Sequence, residues 1–161
     1  MRQVGTAVRM NQNAVDLLDD AAAAYLGVNR TDARCLDVID RRERITAGEL
    51  ATEVGLTTGA ITTALDRLEG KGYVRRLRDE HDRRKVLVEL TDEARRRSWE
   101  VFGPMVEQAG AQFKRYSEAQ LKLLREFMET GRQIMLDHAK RVHEMLQQAG
   151  GAPAAAEQDQ A

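Results

Sequence analysis

Apolar residues recur at helical spacing through the first part of the chain. One such pattern covers about residues 4–26 and ends at Gly27, a residue type that commonly stops a helix. Asn29 precedes a second pattern over about residues 30–42, and Asp32 suits the first turn of that helix. The chain is therefore predicted to begin with two helices.

Two further helices are marked by signals at their ends. Thr46 and Glu49 form a capping box before a two-turn helix, and Gly55 suits the left-handed conformation that ends it. Thr57 is the next N-cap, and the helix that follows extends to about Gly70. Since so short a turn joins them, these two helices are predicted to form a helix-turn-helix.

The fourth helix has two distinct sides. At 100° per residue, one side collects apolar residues, namely Ile61, Ala64, Leu65 and Leu68. The other side collects small and polar residues, namely Gly59, Thr62, Thr63, Asp66 and Arg67. A helix that enters the major groove of DNA needs such a polar side, because bulky apolar groups would stay exposed to groove water.

Two runs rich in β-branched and apolar residues come next, at 73–78 and 85–90. The mostly charged segment DEHDRR separates them, so they predict a β-hairpin with a charged tip. The candidate DNA-binding residues of this wing are Asp82, Arg83, Arg84 and Lys85. Its arginines suit the narrow minor groove, and a salt bridge from Asp82 is expected to orient Arg84.

The last part of the chain is predicted to form two long helices. One starts after Thr91 and extends toward Tyr116 with a kink at Gly103-Pro104, and another starts at Ser117. The last helix carries an apolar stripe at alternating three- and four-residue spacing, formed by Leu121, Leu124, Met128, Gly131, Met135, Ala139, Val142 and Leu146. This stripe either packs within its own subunit or joins the N-terminal helix in a symmetric dimer.

Composition agrees with this pattern of helices. Of the 161 residues, 32% are charged and 4% are aromatic, which favours a soluble, mostly helical protein. No apolar run approaches the roughly 18 to 20 residues of a membrane span, and the N-terminus lacks an apolar signal core. A cytoplasmic protein with no membrane partner is expected.

The formal net charge of −1 hides an uneven distribution. Residues 71–97 contain ten Lys or Arg against six Asp or Glu, a net +4, and the remaining positions carry a net −5. The basic stretch is either a surface for a polyanion or an ordinary solvated face. Its place in the fold decides between these readings.

The spacing of histidine and cysteine residues indicates no catalytic or metal-binding site. His138 and His143 are five positions apart, so they do not form the pair one helical turn apart that binds metal. The single cysteine, Cys35, lies among apolar residues, where a thiol acts either as a small hydrophobe or as a redox sensor. The sequence predicts no enzyme, no metal site and no cofactor.

The segment ITAGELATEVGLTTGAITTALDRLEGKGYVRRLRDEHDRRKVLVELT resembles the winged helix of the MarR (multiple antibiotic resistance regulator) family. The resemblance is carried by the helix-turn-helix, by LDRLEGKG, by the Asp-x-Arg wing and by the strand end VELT, and it covers about residues 28–97. By resemblance, Thr62 is a recurrent recognition-helix threonine, Arg67 contacts phosphate, and Asp82 with Arg84 is the wing pair. Thr63 stands where the family often has a basic residue, which favours hydroxyl and methyl contacts over arginine readout.

The resemblance implies a homodimeric, sequence-specific, ligand-responsive repressor of transcription that binds double-stranded DNA at a pseudo-palindromic operator. The recognition-helix residues would be Thr57, Thr58, Gly59, Thr62, Thr63, Arg67 and Lys71, and Arg75 is a further candidate phosphate contact. A small phenolic or aromatic anion is the implied effector, and the candidate pocket residues are Trp99, Phe102, Met105 and Phe113. At helical spacing those four also fit an ordinary core. The alternative function is a winged helix that binds an acidic protein partner through its basic hairpin.

The predicted fold is mostly α with a small β-hairpin: a winged helix-turn-helix core with dimerisation helices at both ends. Residues 1–27 are the N-terminal helix, 28–91 the DNA-binding domain, 92–148 the long C-terminal helices and 149–161 a disordered tail. The dimer contacts are expected from Leu121, Leu124, Met128, Met135, Val142 and Leu146.

Overall fold

A computed structural model describes residues 2–79, 82 and 85–148 of the chain. The elements in chain order are α1 (Arg2–Leu26), α2 (Arg30–Arg42), β1 (Ile45–Thr46), α3 (Ala47–Val54), α4 (Thr58–Gly70), β2 (Val74–Arg78), β3 (Val86–Leu90), α5 (Asp92–Phe113) and α6 (Glu118–Gln148). The mostly helical fold class with a small sheet is confirmed. The predicted tail, 149–161, lies outside the described residues.

The helix caps are present at the residues predicted from the sequence. Asn29 accepts a hydrogen bond from the backbone of Asp32, and Thr57 accepts one from the backbone of Ala60. Thr46 and its partner in the capping box exchange both of the expected hydrogen bonds. Gly55 has φ 75°, the left-handed conformation that a residue with a Cβ rarely adopts. Local hydrogen bonds thus fix the turn that joins α3 to α4.

The hairpin belongs to a three-stranded antiparallel sheet of order β1-β3-β2. The two-residue strand β1 was not predicted. In it, Ile45 pairs with Val88 and Thr46 pairs with Leu87. A strand of two residues has no alternation to detect, and it forms here because β3 offers an edge beside the start of α3.

The described residues form two compact units that divide after Val106. In the first unit, the fully buried side chains come from α2, α3, α4 and β3 and include Ile39, Leu50, Ile61, Leu65, Leu68 and Val88. Cys35 is buried in the same core, and its burial raises the pKa of the thiol to about 11. The thiol therefore stays protonated at neutral pH, as expected of a small hydrophobe.

Tyr73, just before β2, attaches the end of α1 to the winged helix. Its buried hydroxyl donates a hydrogen bond of 2.9 Å to the carbonyl of Leu26. Arg97 of α5 donates to the same hydroxyl at 2.6 Å and to the carbonyl of Tyr25 at 3.2 Å. Its guanidinium carbon also lies 5.4 Å and 5.8 Å from the ring centroids of Tyr25 and Tyr73. Two C-terminal carbonyls of α1, which have no partner within the helix, are satisfied in this way.

The second unit contains the end of α5 and all of α6. The helix α5 continues past Pro104 to Phe113, and the kink at that proline stays a prediction. Ser117 and Gln120 form the predicted capping box before α6. No helix in the described part of the chain combines the length and apolar character needed to cross a bilayer.

Candidate nucleic-acid interface

The helix α4 shows the predicted division into a buried and an exposed side. Its apolar residues, Ile61, Ala64, Leu65 and Leu68, are at most 1% exposed. Its polar residues, Gly59, Thr62, Thr63, Asp66 and Arg67, are exposed. The core therefore holds α4 by one side and leaves a small polar surface on the other, as a groove-binding helix requires.

The hydroxyls of two threonines on this surface donate back to their own helix. Thr62 donates to the carbonyl of Thr58 at 2.9 Å, and Thr63 donates to the carbonyl of Gly59 at 3.1 Å. Each hydroxyl proton is thereby used, while the oxygen keeps lone pairs that can accept a hydrogen bond. The pair offers acceptors and methyl groups to a partner.

The ends of α4 carry the remaining predicted residues of the recognition helix. Thr57 uses its side-chain oxygen as the N-cap, whereas Thr58 and Gly59 are exposed in the first turn. Lys71 follows the last residue of α4, is exposed, and donates its backbone N–H to the carbonyl of Arg67. All of these residues lie on one element.

Arg67 makes a two-point ion pair with Asp32 of α2. Its Nε lies 3.1 Å from Oδ2 and one terminal nitrogen lies 2.6 Å from Oδ1. The Asp32 side chain is 2% exposed, while that of Arg67 is 42% exposed. The hydrogen bond to this carboxylate raises the pKa of Arg67. The sequence indicated only a helix start at Asp32, because no local pattern reveals a partner 35 positions away.

Part of the basic stretch is neutralised within the fold. Arg75 donates to Glu89 at 2.6 Å, and Arg44 donates to the same buried carboxylate at 2.8 Å. Both hydrogen bonds lower the pKa of Glu89, and the bond from Arg75 has the larger effect. Arg76 pairs with two acidic side chains of α4, Asp66 at 2.6 Å and Glu69. Arg75 and Arg76 of the basic stretch are therefore engaged in ion pairs within the fold.

The described residues near the wing tip form a tight backbone turn. Asp79 donates its N–H to the carbonyl of Lys85, and Lys85 donates to the carbonyl of Asp82. The N–H of Asp82 donates in turn to the carboxylate of Asp79 at 2.9 Å. Lys85 is exposed and Asp82 is half-buried. Arg83 and Arg84 lie outside the described residues, so the salt bridge from Asp82 to Arg84 stays a prediction.

The candidate effector residues belong to α5. In the first unit, Trp99 and Met105 are exposed and Phe102 is half-buried. The Trp99 ring lies against Gly103, where a Cβ atom would come within 2.8 Å of it. Phe113 is exposed and belongs to the second unit. The four residues therefore stay predicted contacts of an effector.

The helix α6 has no buried residue. Five of the six predicted dimer contacts are 42–61% exposed, namely Leu124, Met128, Met135, Val142 and Leu146, and Leu121 is half-buried. Large apolar side chains of α1, among them Val4 and Met10, are exposed as well. Packing of the α6 stripe within its own subunit is therefore not observed.

Comparison with known proteins identifies the family. The MarR family model matches residues 28–86. The chain is 34% identical over 126 residues to the HTH-type transcriptional regulator YcgE of Bacillus subtilis, a match that covers 78% of this chain and 82% of the relative. The HTH-type name and the family match agree with the polar surface of α4.

Solved structures share the same fold. The apo form of MarR from Escherichia coli aligns with a TM-score of 0.54 at 25% identity and covers 78% of this chain and 94% of its own. A MepR mutant from Staphylococcus aureus, bound to an oligodeoxyribonucleotide, aligns at 0.55 with 18% identity and covers 84% and 97%. NadR in complex with 4-hydroxyphenylacetate aligns at 0.59 with 19% identity and covers 79% and 90%. By its family match and its similarity to YcgE, the chain belongs to the MarR family of transcriptional regulators and is not an enzyme.

Proposed function

We propose that this regulator binds a pseudo-palindromic operator in double-stranded DNA as a homodimer, in the cytoplasm, and represses transcription until a small aromatic anion binds. The observation that carries the proposal is the exposed polar side of α4, opposite a side that is at most 1% exposed. A helix held in this way can enter the major groove without moving the core. The MepR complex with an oligodeoxyribonucleotide supports the same use of the shared fold.

The proposed contacts of α4 follow from its chemistry. Thr62 and Thr63 offer hydroxyl oxygens to the amino groups of adenine or cytosine and methyl groups to thymine. Thr58 and Gly59 lie at the helix N-terminus, where backbone N–H groups favour a phosphate. Lys71 and the wing residues at 82–85 would contact the flanking backbone and minor groove. Family membership favours this reading over an acidic protein partner.

Dimerisation would cover the apolar residues of α1 and α6. Two α4 helices related by a twofold axis would then face half-sites about 34 Å apart, one turn of DNA. One winged helix alone makes a small interface, and a second copy supplies the affinity and selectivity of an operator.

The effector site is proposed beside the first-unit part of α5, with contacts from Trp99, Phe102 and Met105. The NadR complex with 4-hydroxyphenylacetate supports an aromatic anion as the ligand class. Phe113 stays a sequence prediction. A ligand that prefers one spacing of the two α4 helices would shift the dimer away from the operator.

The experiment begins with selection of genomic fragments by the full-length protein and continues with the best operator. Multi-angle light scattering should give a dimer, and anisotropy titrations should show affinity that falls steeply with salt. Thr62→Val removes one hydroxyl and should weaken operator binding about fivefold per subunit, with non-operator DNA unaffected. Thr6→Val is the matched control, because Thr6 of α1 makes the same backbone hydrogen bond outside the helix-turn-helix. A monomer, or a protein that enriches no fragment, would refute the proposal.

A further inference from the structure

We propose that Asp32 positions Arg67 for the DNA backbone: the buried carboxylate holds one edge of the guanidinium through two nitrogens, so that the remaining amino group binds a phosphate. The inference rests on the proposed function, since it assigns a positioning residue to the same interface. Asp32 would not touch DNA. It would act through Arg67 from beneath the recognition helix.

The geometry fixes both partners. The backbone N–H of Asp32 donates to the Asn29 side chain at 2.8 Å, which ties the residue to the cap of α2. Its carboxylate accepts from two nitrogens of Arg67, at 3.1 Å and 2.6 Å. Two contacts to one carboxylate define the plane of the guanidinium as well as its position. The third nitrogen, Nη1, makes no hydrogen bond with any other described residue.

The placement of Arg67 suits a phosphate more than a base. It lies four residues after Thr63 on the exposed side of α4, which puts it slightly more than one turn, or about 6 Å, further along the helix axis. If the two threonines face the groove floor, a residue at that distance meets the edge of the groove, where the phosphates lie. Its side chain is 42% exposed although its partner is almost completely buried.

Stability alone is a weak explanation for a buried ion pair at this position. A buried carboxylate is costly to desolvate, and an apolar pair of similar volume often serves the folded state as well or better. An arginine that is already ordered, however, loses less side-chain freedom when it binds. Such ordering is worth about five- to tenfold in affinity for one long side chain. For a dimer with two copies the product is about 25- to 100-fold.

The test is ethylation interference on the selected operator with the full-length dimer. In the wild type, interference should appear at a set of phosphates in each half-site. Arg67→Gln should remove interference at one phosphate per half-site, and Asp32→Asn should weaken interference at that same phosphate while the others keep their intensity. Operator affinity of Asp32→Asn should fall about 25- to 100-fold. In the Arg67→Gln background, Asp32→Asn should have no further effect on affinity.

Two further variants keep the test decisive. Asp37→Asn is the matched control, because Asp37 also lies on α2 and accepts two hydrogen bonds from Arg41, but at the surface. It should leave both affinity and interference unchanged. If Asp32→Asn does not fold, Arg67→Lys serves in its place, because it keeps the charge without the two-point contact. It should weaken the ethylation interference at the same phosphate.

The outcomes separate this inference from the proposed function. An Arg67→Gln variant that keeps every phosphate contact would overturn the role of Asp32, as would an Asp32→Asn variant that weakens all contacts equally. In either case, wild-type binding to the operator would leave the proposed function standing. A wild type that binds no duplex would refute both.

Discussion

The buried hydroxyl of Tyr73 provides a direct test of how the N-terminal helix is attached to the winged helix. Tyr73→Phe removes one oxygen and leaves the ring in place. Without it, the carbonyl of Leu26 loses its hydrogen bond from Tyr73, and Arg97 loses an acceptor that now lies at 2.6 Å. Tyr73 is 4% exposed, so water cannot easily replace the lost oxygen.

The magnitude follows from the two hydrogen bonds. A neutral one contributes about 0.5 to 1.5 kcal/mol net, and one to a charged group about 1.5 to 3 kcal/mol. Arg97 is half-buried, and water recovers part of what it loses. We expect the free energy of unfolding to fall by about 2 kcal/mol, which for a chain of this length lowers Tm by about 4 to 8 °C.

The assay is urea unfolding followed by circular dichroism, with all proteins at one concentration because the stability of the proposed dimer depends on it. Tyr25→Phe is the matched control. The Tyr25 hydroxyl donates to Glu100 at 3.1 Å, but the residue is 54% exposed, so its loss should change stability by less than about 0.5 kcal/mol. Equal effects of the two substitutions would refute the attachment of α1 through Tyr73.

Two other predictions concern single contacts. Thr46→Ala removes the capping box of α3 and should destabilise the protein by about 1 kcal/mol in the same urea assay, whereas Thr52→Ala, at an exposed helix interior, should have a smaller effect. The lowered pKa of Glu89 means that its ion pairs stabilise the fold above the ordinary glutamate pKa and are lost as pH falls through the lowered value. Glu89→Gln should therefore be less stable than the wild type at neutral pH, and urea midpoints that stay equally far apart as the pH falls through the lowered pKa of Glu89 would contradict this reasoning.

Local signals explain why the helices could be predicted from the sequence. The caps at Asn29, Thr46 and Thr57 each depend on a side chain three residues or fewer from its partner, and all three are present. The strand β1 was missed because two residues carry no period. The two-sided character of α4 was also predictable, since it depends only on helical spacing.

The ion pairs were not predictable. Asp32 meets Arg67 across 35 positions, and Arg44 meets Glu89 across 45, so packing of separate elements alone brings them together. Charge counting left residues 71–97 as either a polyanion surface or a solvated face, and it could not show that Arg75 and Arg76 are engaged within the fold. The predicted minor-groove contacts of Arg83 and Arg84 stay predictions, because both residues lie outside the described ones.

No residue of α6 is buried, and this has a consequence for the cell. A helix of 31 residues with none of them buried would gain stability from packing against a second copy. In the proposed homodimer, mass action then links the integrity of this helix to the number of regulator copies present. Dilution of the regulator during growth and division would then lower the fraction of dimer. The rate of its synthesis would set how completely a promoter is repressed.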